Sequence, residues 1–372
     1  MPRVLILSAS YGSGHTEAAR CLAAGFERAG ARATVVDHFR DLVHPVFARA
    51  SRSLYYGVLR HSPALWGAAY ALADTLPSDS PLTFGMTRLG AGRLLAYIER
   101  EAPDLIVSVH ATPAVVLSAL AASGERVPPH TTVVTDFVAH RQWIAPRIDR
   151  YCVAAEEVQH EFIAHGIPRD RVVVTGVPLR DEFGAPCDGE AARRALSLHS
   201  RAPVVLAMAG SLGSVGRLPD VTRALLEARR PLQGLVVAGH DRRLHATLAA
   251  MTEGTRVRAL GFVPDVRRLM AAADLLITKA GGMTLAEALA ARTPMLLYGS
   301  IPGQERRNER FASRIGVALV ARSRAALATM LERALTDPDL LDELRERGRR
   351  ARHPDATDRI VTTVLSLGAR TP

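Results

Sequence analysis

The sequence predicts an α/β protein built from two doubly wound parallel sheets. Short apolar runs alternate with helical patterns in both halves of the chain, which is typical of parallel strands joined by crossover helices. The length of 372 residues also exceeds what one hydrophobic core usually supports. Prolines and glycines concentrated between Val177 and Gly189 indicate a linker. We therefore expect one domain over residues 1–184 and a second over 185–351, with the helical segment of about 352–372 packing back on the first.

Twelve apolar runs are predicted to form the strands, six in each half of the chain. The carboxyl ends of both sheets are expected to face a central cleft between the domains, where the loops that follow strands bind ligands in open α/β sheets. The predicted strands are Val4–Leu7, Thr34–Val36, Leu105–Val109, Thr132–Thr135, Tyr151–Ala154, Val172–Val174, Val204–Met208, Leu235–Ala238, Val257–Leu260, Leu275–Thr278, Met295–Tyr298 and Val317–Val320.

Composition and charge limit the function classes. Hydrophobic residues make up 48% and charged residues 23% of the chain, which is ordinary for a soluble α/β enzyme. No apolar run reaches the roughly 18 residues of a membrane span, and Cys21, Cys152 and Cys187 lack a spacing typical of disulfides or zinc. The net charge of +10 favours an anionic partner. Because neither an aromatic RNA-binding signature nor a DNA-reading helix is recognisable, we expect no nucleic-acid partner.

The stretch SASYGSGHTEAA links the first predicted strand to a helix. Its Gly12 and Gly14, with Asp37 at the end of the second strand, occupy places of a dinucleotide-binding fingerprint. Glu17 stands where the third small residue belongs, and its carboxylate would repel a pyrophosphate at the helix N-terminus. We therefore expect the loop to present His15, whose imidazole is suited to take a proton from an alcohol at neutral pH. The alternative is that His15 caps the first helical turn.

A second group of polar residues follows two predicted strands in the other half. Gly281 and Gly282 begin a helix, where backbone amides and the helix dipole favour an anion such as phosphate. Glu287, farther along this helix, is placed to bind a pair of sugar hydroxyls, as carboxylates do for ribose. After the next strand, Gln304 and Glu305 supply the donors and acceptors that a hexose needs. The pattern predicts a nucleotide-sugar site.

One lysine, Lys279, lies beside these glycines and is the only lysine among 47 basic residues. A compact ammonium fits near a phosphate or a sugar where a planar guanidinium would fit differently. Chance retention in an arginine-rich chain is the alternative.

The segment between Asp41 and Glu101 contains helical patterns and no convincing strand. It is rich in aromatic residues flanked by arginines, a combination that suits a lipid interface, because the rings enter the acyl boundary and the cations meet anionic headgroups. The alternative is a helical cap packed on its own sheet. The residues expected at an acceptor or membrane surface are Tyr55, Tyr56, Arg60, Trp66 and Tyr70.

Four motifs in order resemble the family of monogalactosyldiacylglycerol synthases and processive diacylglycerol glucosyltransferases. TKAGGMTLAEAL followed by PGQERRN resembles the nucleotide-sugar half of that family, and SASYGSGHTEAA resembles its N-terminal glycine-histidine loop. VVTDFVAHRQWIAPRIDRYCVAAEE and VTGVPLRDEF resemble its middle. The family is related to the peptidoglycan N-acetylglucosaminyltransferase, and the resemblance implies the GT-B fold with two Rossmann-like domains.

The resemblance also implies roles for particular residues. His15 is the candidate general base and Asp136 lies near the acceptor hydroxyl, with the choice of base between the two left open. Two departures from the family are Ala280, where proline is usual, and the run Tyr11-Gly12-Ser13-Gly14 in place of a glycine-richer loop. The implied donor-binding residues are Gly210, Ser211 and Gly213 for the diphosphate, Phe262 and Val263 for uracil, Lys279, Gly281, Gly282, Met283 and Thr284 for phosphate, Glu287 for ribose, and Gln304, Glu305 and Asn308 for the hexose.

The expected function is an inverting transfer of a hexose from UDP-glucose or UDP-galactose to diacylglycerol, or to a glycosyl-diacylglycerol, in membrane glycolipid synthesis. We expect a peripheral enzyme on the cytoplasmic face of an anionic membrane, with neither a cofactor nor a metal nor an obligate protein partner. No Asp-x-Asp pair is placed to hold a metal. The alternatives are a transferase of the same fold with a cell-wall or soluble acceptor, an NAD(P)-dependent enzyme that uses Asp37, and a non-catalytic lipid-surface protein. Glucose and galactose, and the number of sugars added, remain open.

Overall fold

The computed structural model describes residues 1–76, 89–210 and 217–369. The chain divides into two compact units: unit 1 contains Met1–Asp181 and the segment from Asp355, and unit 2 is Glu182–Pro354. The described residues form twelve strands: β1 Arg3–Ser8, β2 Arg32–Asp37, β3 Leu105–Ser108, β4 His130–Val133, β5 Arg150–Val153, β6 Val172–Val174, β7 Val204–Met208, β8 Gln233–Val237, β9 Val257–Leu260, β10 Leu275–Thr278, β11 Met295–Tyr298 and β12 Ala318–Ala321.

Fifteen α-helices connect these strands within the described residues. Short 3₁₀ turns and one π-helical turn, His38–Val43, complete the connections. The α-helices are α1 Ser13–Arg28, α2 Pro45–His61, α3 Pro63–Thr75, α4 Ala91–Glu101, α5 Ala111–Ala122, α6 Glu156–Ala164, α7 Gly189–Ala195, α8 Leu218–Leu226, α9 Arg242–Thr252, α10 Val266–Ala272, α11 Gly282–Ala291, α12 Gln304–Arg314, α13 Arg324–Thr336, α14 Pro338–Ala351 and α15 Ala356–Gly368.

Unit 1 has a six-stranded parallel sheet in the order β2-β1-β3-β4-β5-β6. The chain moves outward from β1 to β2 and then crosses to β3 on the other side, so the topological switch point lies between β1 and β3. Helices cover the sheet, and side chains such as Ile6, Leu94 and Ile106 are fully buried. Loops that follow β1 and β3 therefore flank the position where open α/β sheets bind ligands.

Unit 2 has a second six-stranded parallel sheet, in the order β12-β11-β10-β7-β8-β9. Its switch point lies between β7 and β10, because β8 and β9 extend the sheet on one side and β10 to β12 on the other. Val205, Val236 and Leu296 are buried in its core. The fold class predicted from the sequence is confirmed, and each predicted strand is present.

The strand β4 begins two residues earlier than predicted, at His130 instead of Thr132. Its first residues are polar yet buried. The backbone N–H of His130 donates to Asp149 at 2.8 Å, and His130 Nε2 lies 2.8 Å from Ser108 Oγ. These two hydrogen bonds tie His130 to neighbouring segments, while His130 Nδ1 and Thr131 Oγ1 are buried without a hydrogen-bond partner among the described residues.

The C-terminal helix α15 packs on α1. Gly25 of α1 is the point of close approach, since a Cβ at this position would lie 2.7 Å from Thr357 Cγ2. The Thr357 hydroxyl also accepts from Leu179 N–H at 2.9 Å, and Arg28 pairs with Asp358 at 3.0 Å. These contacts attach the end of the chain to unit 1.

The segment between Asp41 and Glu101 is helical in its described part, as predicted. It contains α2, α3 and α4, while residues 77–88 lie outside the described part. In the chain as far as it is described, no helix combines the length and the apolar character needed to cross a membrane.

Candidate active site

His15 lies in the first turn of α1, directly after the loop that follows β1. Its Nδ1 is 2.8 Å from the carbonyl oxygen of Val109, at the end of the adjacent strand β3, and 3.3 Å from Thr135 Oγ1. The N-cap of α1 is Gly12, and the Nδ1 contacts of His15 are with Val109 and Thr135, which disfavours the interpretation of His15 as a helix cap. Its ring is held across the switch point of the unit 1 sheet.

The contact with Val109 fixes the tautomer of His15. A carbonyl oxygen only accepts, so Nδ1 carries the proton and donates it, which leaves a lone pair on Nε2. Burial lowers the pKa of His15 to about 4, although the bond to Val109 opposes this shift. The imidazole is therefore neutral at physiological pH, with Nε2 in the form that a general base requires.

His110 follows β3 and was not predicted as a site residue. Its ring packs edge-on against His15 with the centroids 4.8 Å apart, and its Nδ1 accepts from the backbone N–H of Thr112 at 3.1 Å, which caps α5. Burial first, and the nearby His15 second, hold the pKa of His110 well below its usual value. The signal that could have found it is a histidine placed immediately after an apolar strand, at the same sheet edge as His15.

Asp136 follows Thr135, whose hydroxyl contacts His15, and it is 5% exposed. Trp143 ends the 3₁₀ turn Arg141–Trp143 farther along the chain, and its ring centroid lies 6.2 Å from that of His15. The structure thus brings Asp136 into the loop beside His15, at the carboxyl end of the neighbouring strand β4. The assignment of Asp136 to the acceptor hydroxyl stays a prediction.

Asp37, the acid that a dinucleotide site would need, is engaged within its own loop. One carboxylate oxygen accepts from the Ser10 hydroxyl and the other from Arg40 N–H at 2.9 Å. Glu17 lies in α1 and pairs with Arg180 and with Arg20, each at 3.6 Å. The carboxylates of Asp37 and Glu17 are therefore engaged in local contacts within the protein. Because Asp37 already has these partners, the NAD(P) alternative is disfavoured.

The aromatic residues of α2 and α3 form a connected row of rings. Tyr55 lies 5.8 Å from Tyr11 and 4.9 Å from Trp66, and the row continues to Tyr70 at 6.4 Å from Trp66. Tyr56 donates its hydroxyl hydrogen to the Tyr11 carbonyl at 2.9 Å. All four rings are partly buried; Tyr55 and Tyr56 contact the loop that carries His15, whereas Tyr70 packs on His140 with the centroids 4.1 Å apart.

In the described part of this segment, the most exposed apolar side chains are instead aliphatic. Leu54, Leu65 and Leu72 are 69%, 62% and 64% exposed. Arg60, predicted for the membrane surface, is exposed near the end of α2. We call the three leucines the leucine face.

In unit 2, the predicted donor residues lie in loops at one edge of the sheet. Gly210 follows β7, Lys279 to Gly282 follow β10 and Gln304 follows β11, and these three strands are neighbours. Gly210 has a φ of +78°, which favours glycine, and the Cβ it lacks would lie 3.6 Å from Lys279 Cε. Ser211 and Gly213, also predicted for the diphosphate, lie outside the described residues.

Lys279 connects two of these loops. Its ammonium donates to Glu305, whose second carboxylate oxygen accepts from Ile301 N–H at 2.9 Å. Glu305 is 6% exposed, so its charge is largely removed from water and matched by the lysine. The ion pair places a cation between the glycine loop and the predicted hexose residues.

Further contacts fix the loop after β10. Asn308 is fully buried and donates from Nδ2 to the Ala280 carbonyl at 3.1 Å, while Ala280 N–H donates to Ser300 Oγ at 3.3 Å. With Ala280 in place of the proline usual in the family, these bonds hold the turn. The role of Asn308 at the hexose stays a prediction, and its observed contact is with the phosphate loop.

The glycine loop leads into α11 as predicted. Gly281 is the N-cap and Gly282 the first helical residue, so the first backbone amides of α11 lack partners within the helix. Met283 and Glu287 are buried at 9% and 8% exposure, and Thr284 is partly exposed.

Phe262 and Val263 follow β9. The Phe262 ring is 55% exposed and stacks on His240, which follows β8, with the centroids 4.0 Å apart. The predicted uracil residues thus lie at the same sheet edge as the phosphate loop. Within the described part of the chain, no cluster of three or more His, Cys, Asp or Glu side chains is placed to hold a metal ion.

Comparison with known proteins assigns the class. Residues 15–179 match the family model of monogalactosyldiacylglycerol (MGDG) synthase, and residues 197–351 match glycosyl transferases group 1. The crystal structure of MurG from Acinetobacter baumannii has the same fold, with a TM-score of 0.67 at 16% identity over 98% of this chain and 100% of that chain. Anabaena HepE in complex with UDP-glucose gives a TM-score of 0.58 at 16% identity, over 99% and 100% of the two chains. The chain is a glycosyltransferase of the GT-B fold.

A relative in Bacillus cereus narrows this class. A processive diacylglycerol beta-glucosyltransferase of that organism is 28% identical over 367 residues, which cover 98% of this chain and 94% of the relative. With the match to MGDG synthase, this confirms the resemblance that the motifs indicated. The protein is related to the family of monogalactosyldiacylglycerol synthases and processive diacylglycerol glucosyltransferases.

Proposed function

We propose that this protein transfers a hexose from a UDP-sugar to the free hydroxyl of diacylglycerol, or of a glycosyl-diacylglycerol, with inversion at the anomeric carbon. The observation that carries the proposal is His15, a neutral imidazole whose Nδ1–H is bound to Val109 and whose Nε2 has no hydrogen-bond partner among the described residues. The similarity to a diacylglycerol glucosyltransferase supports the choice of acceptor.

The chemistry is a single displacement. The acceptor oxygen attacks the anomeric carbon, its proton passes to Nε2 of His15, and the bond from the anomeric carbon to the phosphate oxygen breaks with its electron pair leaving on UDP. Negative charge then grows on the diphosphate. The backbone amides of the first turn of α11, which lack partners within the helix, and the ammonium of Lys279 are groups in unit 2 suited to stabilise it. We propose that the reaction needs neither a metal nor a cofactor.

The acceptor is a membrane lipid, so the enzyme must reach a bilayer surface. We propose that the leucine face inserts at the lipid boundary and that exposed arginines of α2, such as Arg49, Arg52 and Arg60, contact anionic headgroups on the cytoplasmic side. The aromatic row then lines the way from this face to His15. This assigns insertion to aliphatic side chains and acceptor contact to Tyr55, Tyr56, Trp66 and Tyr70.

The function is tested by incubating the protein with UDP-glucose or UDP-galactose and liposomes that contain diacylglycerol, followed by mass analysis of the lipids. A product heavier than diacylglycerol by one or more hexoses is expected with one of the donors. The mass increase of the product also gives the number of hexoses added. Absence of product from both donors would contradict the lipid acceptor.

Membrane contact is tested by changing Leu54, Leu65 and Leu72 together to serine. Full burial of a leucine is worth about 1.5–3 kcal/mol, and a side chain inserted to about a third of its surface recovers about 0.5–1 kcal/mol. Loss of three such side chains should therefore weaken binding to anionic liposomes about 10- to 100-fold. Leu226 of α8, which is 38% exposed in unit 2, gives the matched control, and its change to serine should leave binding unchanged. Equal binding by the triple variant and the parent would refute the leucine face as the contact.

A further inference from the structure

We infer that His110 is a second acceptor-binding residue, which donates a hydrogen bond from its Nε2–H to the oxygen of the attacking hydroxyl. This inference rests on the proposed function, since it concerns the same acceptor. It assigns a role in the reaction to a residue that the sequence motifs did not indicate.

The tautomer of His110 follows from its contact with α5. Its Nδ1 lies 3.1 Å from the backbone nitrogen of Thr112, and a backbone N–H only donates, so Nδ1 accepts. A neutral imidazole with an acceptor at Nδ1 carries its proton on Nε2. Among the described residues, Nε2 of His110 has no hydrogen-bond partner, although the ring is packed among Tyr11, His15, Phe39 and Trp143.

The two histidines are therefore complementary. His15 offers an open lone pair at Nε2, whereas His110 offers an open N–H at Nε2. A hydroxyl group is both a donor and an acceptor, and it needs one neighbour of each kind. The ring centroids lie 4.8 Å apart in an edge-on arrangement, so the two imidazoles are in direct contact, and we place the acceptor hydroxyl beside both Nε2 atoms. The pair is set to orient an alcohol with its proton toward His15.

The same contacts keep the two roles distinct. Protonation of His110 at Nδ1 would remove the cap of α5 and place a cation beside His15, so His110 is unsuited to act as the base. In the reaction the hydroxyl proton moves to His15 Nε2, and the bond from the acceptor oxygen to the anomeric carbon forms as the bond to UDP breaks. His110 keeps its own proton throughout and steadies the oxygen that loses one.

Two substitutions separate hydrogen-bond donation from helix capping. His110→Asn keeps a strong N-cap acceptor, but its short amide does not reach the position of Nε2. His110→Gln places an amide N–H about as far out as Nε2 and loses the cap. His44 supplies the matched control, because it caps α2 in the same way, accepting from Val46 N–H at 3.2 Å, and has no contact with His15 among the described residues.

The experiment measures hexose transfer with varied diacylglycerol and varied UDP-sugar, together with thermal unfolding. For His110→Asn we expect a decrease in kcat/KM for diacylglycerol of about 10- to 100-fold, unchanged KM for the UDP-sugar and near-parent thermal stability. His110→Gln should be more active than His110→Asn although less stable, and His44→Asn should match the parent.

If His110→Asn kept the parent's transfer activity while His110→Gln lost activity in proportion to its loss of thermal stability, His110 would serve only as the cap of α5. That result would overturn the inference. Transfer by the parent with equal rates in all variants would also overturn it while leaving the proposed function intact. Absence of transfer by the parent itself would overturn the proposed function, and the role of His110 with it.

Discussion

The ion pair between Lys279 and Glu305 allows a quantitative test of the donor loops. Two unit charges about 4 Å apart attract by about 4 kcal/mol at an effective dielectric constant of ~20. Desolvation offsets much of this, since the two side chains are only 21% and 8% exposed. Replacing Lys279 by methionine leaves the Glu305 carboxylate buried without its cation. We therefore expect the free energy of unfolding to fall by about 2–4 kcal/mol.

The partner variant should behave differently. Glu305→Gln retains an amide oxygen for Ile301 N–H and leaves Lys279 able to reach water, so a loss of about 1 kcal/mol is expected. The double variant contains no unpaired carboxylate, and its loss should be smaller than the sum of the single losses by about 1–2 kcal/mol. Urea denaturation of the four proteins at pH 7 measures this difference. Additive losses within about 0.5 kcal/mol would refute the pairing.

Calorimetry with UDP measures whether Lys279 contributes to donor binding in addition to its ion pair with Glu305. If the ammonium of Lys279 stabilises the diphosphate, Lys279→Met should weaken UDP binding about 10-fold or more. Glu305→Gln should bind UDP as tightly as the parent or more tightly, because it releases the lysine from its carboxylate. Equal weakening in both variants would show that the pair serves loop structure only.

Two further predictions concern the base and the turn before α12. Burial lowers the pKa of His15 to about 4, and the neutral imidazole is the reactive form. The value of kcat/KM should therefore stay level from pH 7 to about pH 5 and fall only at lower pH. A half-loss of kcat/KM near the usual histidine pKa of about 6.5 would contradict the buried imidazole. Gly303, the N-cap of α12, has φ of +98° and ψ of −127°, a backbone conformation that is strained for residues with a Cβ. Gly303→Ala should therefore lower the free energy of unfolding by about 1–3 kcal/mol and weaken UDP-sugar binding. Urea denaturation and calorimetry measure these two effects. Gly92→Ala is its control, since an added Cβ there meets no atom within 4 Å, and equal effects of the two changes would refute strain at Gly303.

The sheets could be predicted from the sequence because parallel strands covered on both faces appear as uninterrupted apolar runs. Val204–Met208 and Leu275–Thr278 are strands with the predicted bounds. The start of β4 was placed too late, since His130 and Thr131 are polar and His130 is buried through hydrogen bonds that hydropathy does not register. The glycine loop before α11 was recognisable because its chemistry is local to one turn.

Contacts between distant segments could not be predicted in the same way. His110 meets His15 only because β1 and β3 are neighbours in the sheet, an arrangement that the spacing of 95 residues does not specify. The sequence also does not indicate which side of α3 packs on the protein, since this helix is apolar on most sides and lacks a buried residue. Its Trp66 turns toward the other rings while Leu65 and Leu72 face outward, which only packing decides.

The central claim is that His15 removes the proton of a lipid hydroxyl during hexose transfer. The most direct measurement is the turnover of His15→Ala on diacylglycerol liposomes with the preferred UDP-sugar, paired with the affinity of the same variant for UDP. The account predicts that kcat falls about 100-fold or more while UDP affinity stays near that of the parent. Turnover at the parent rate would contradict it.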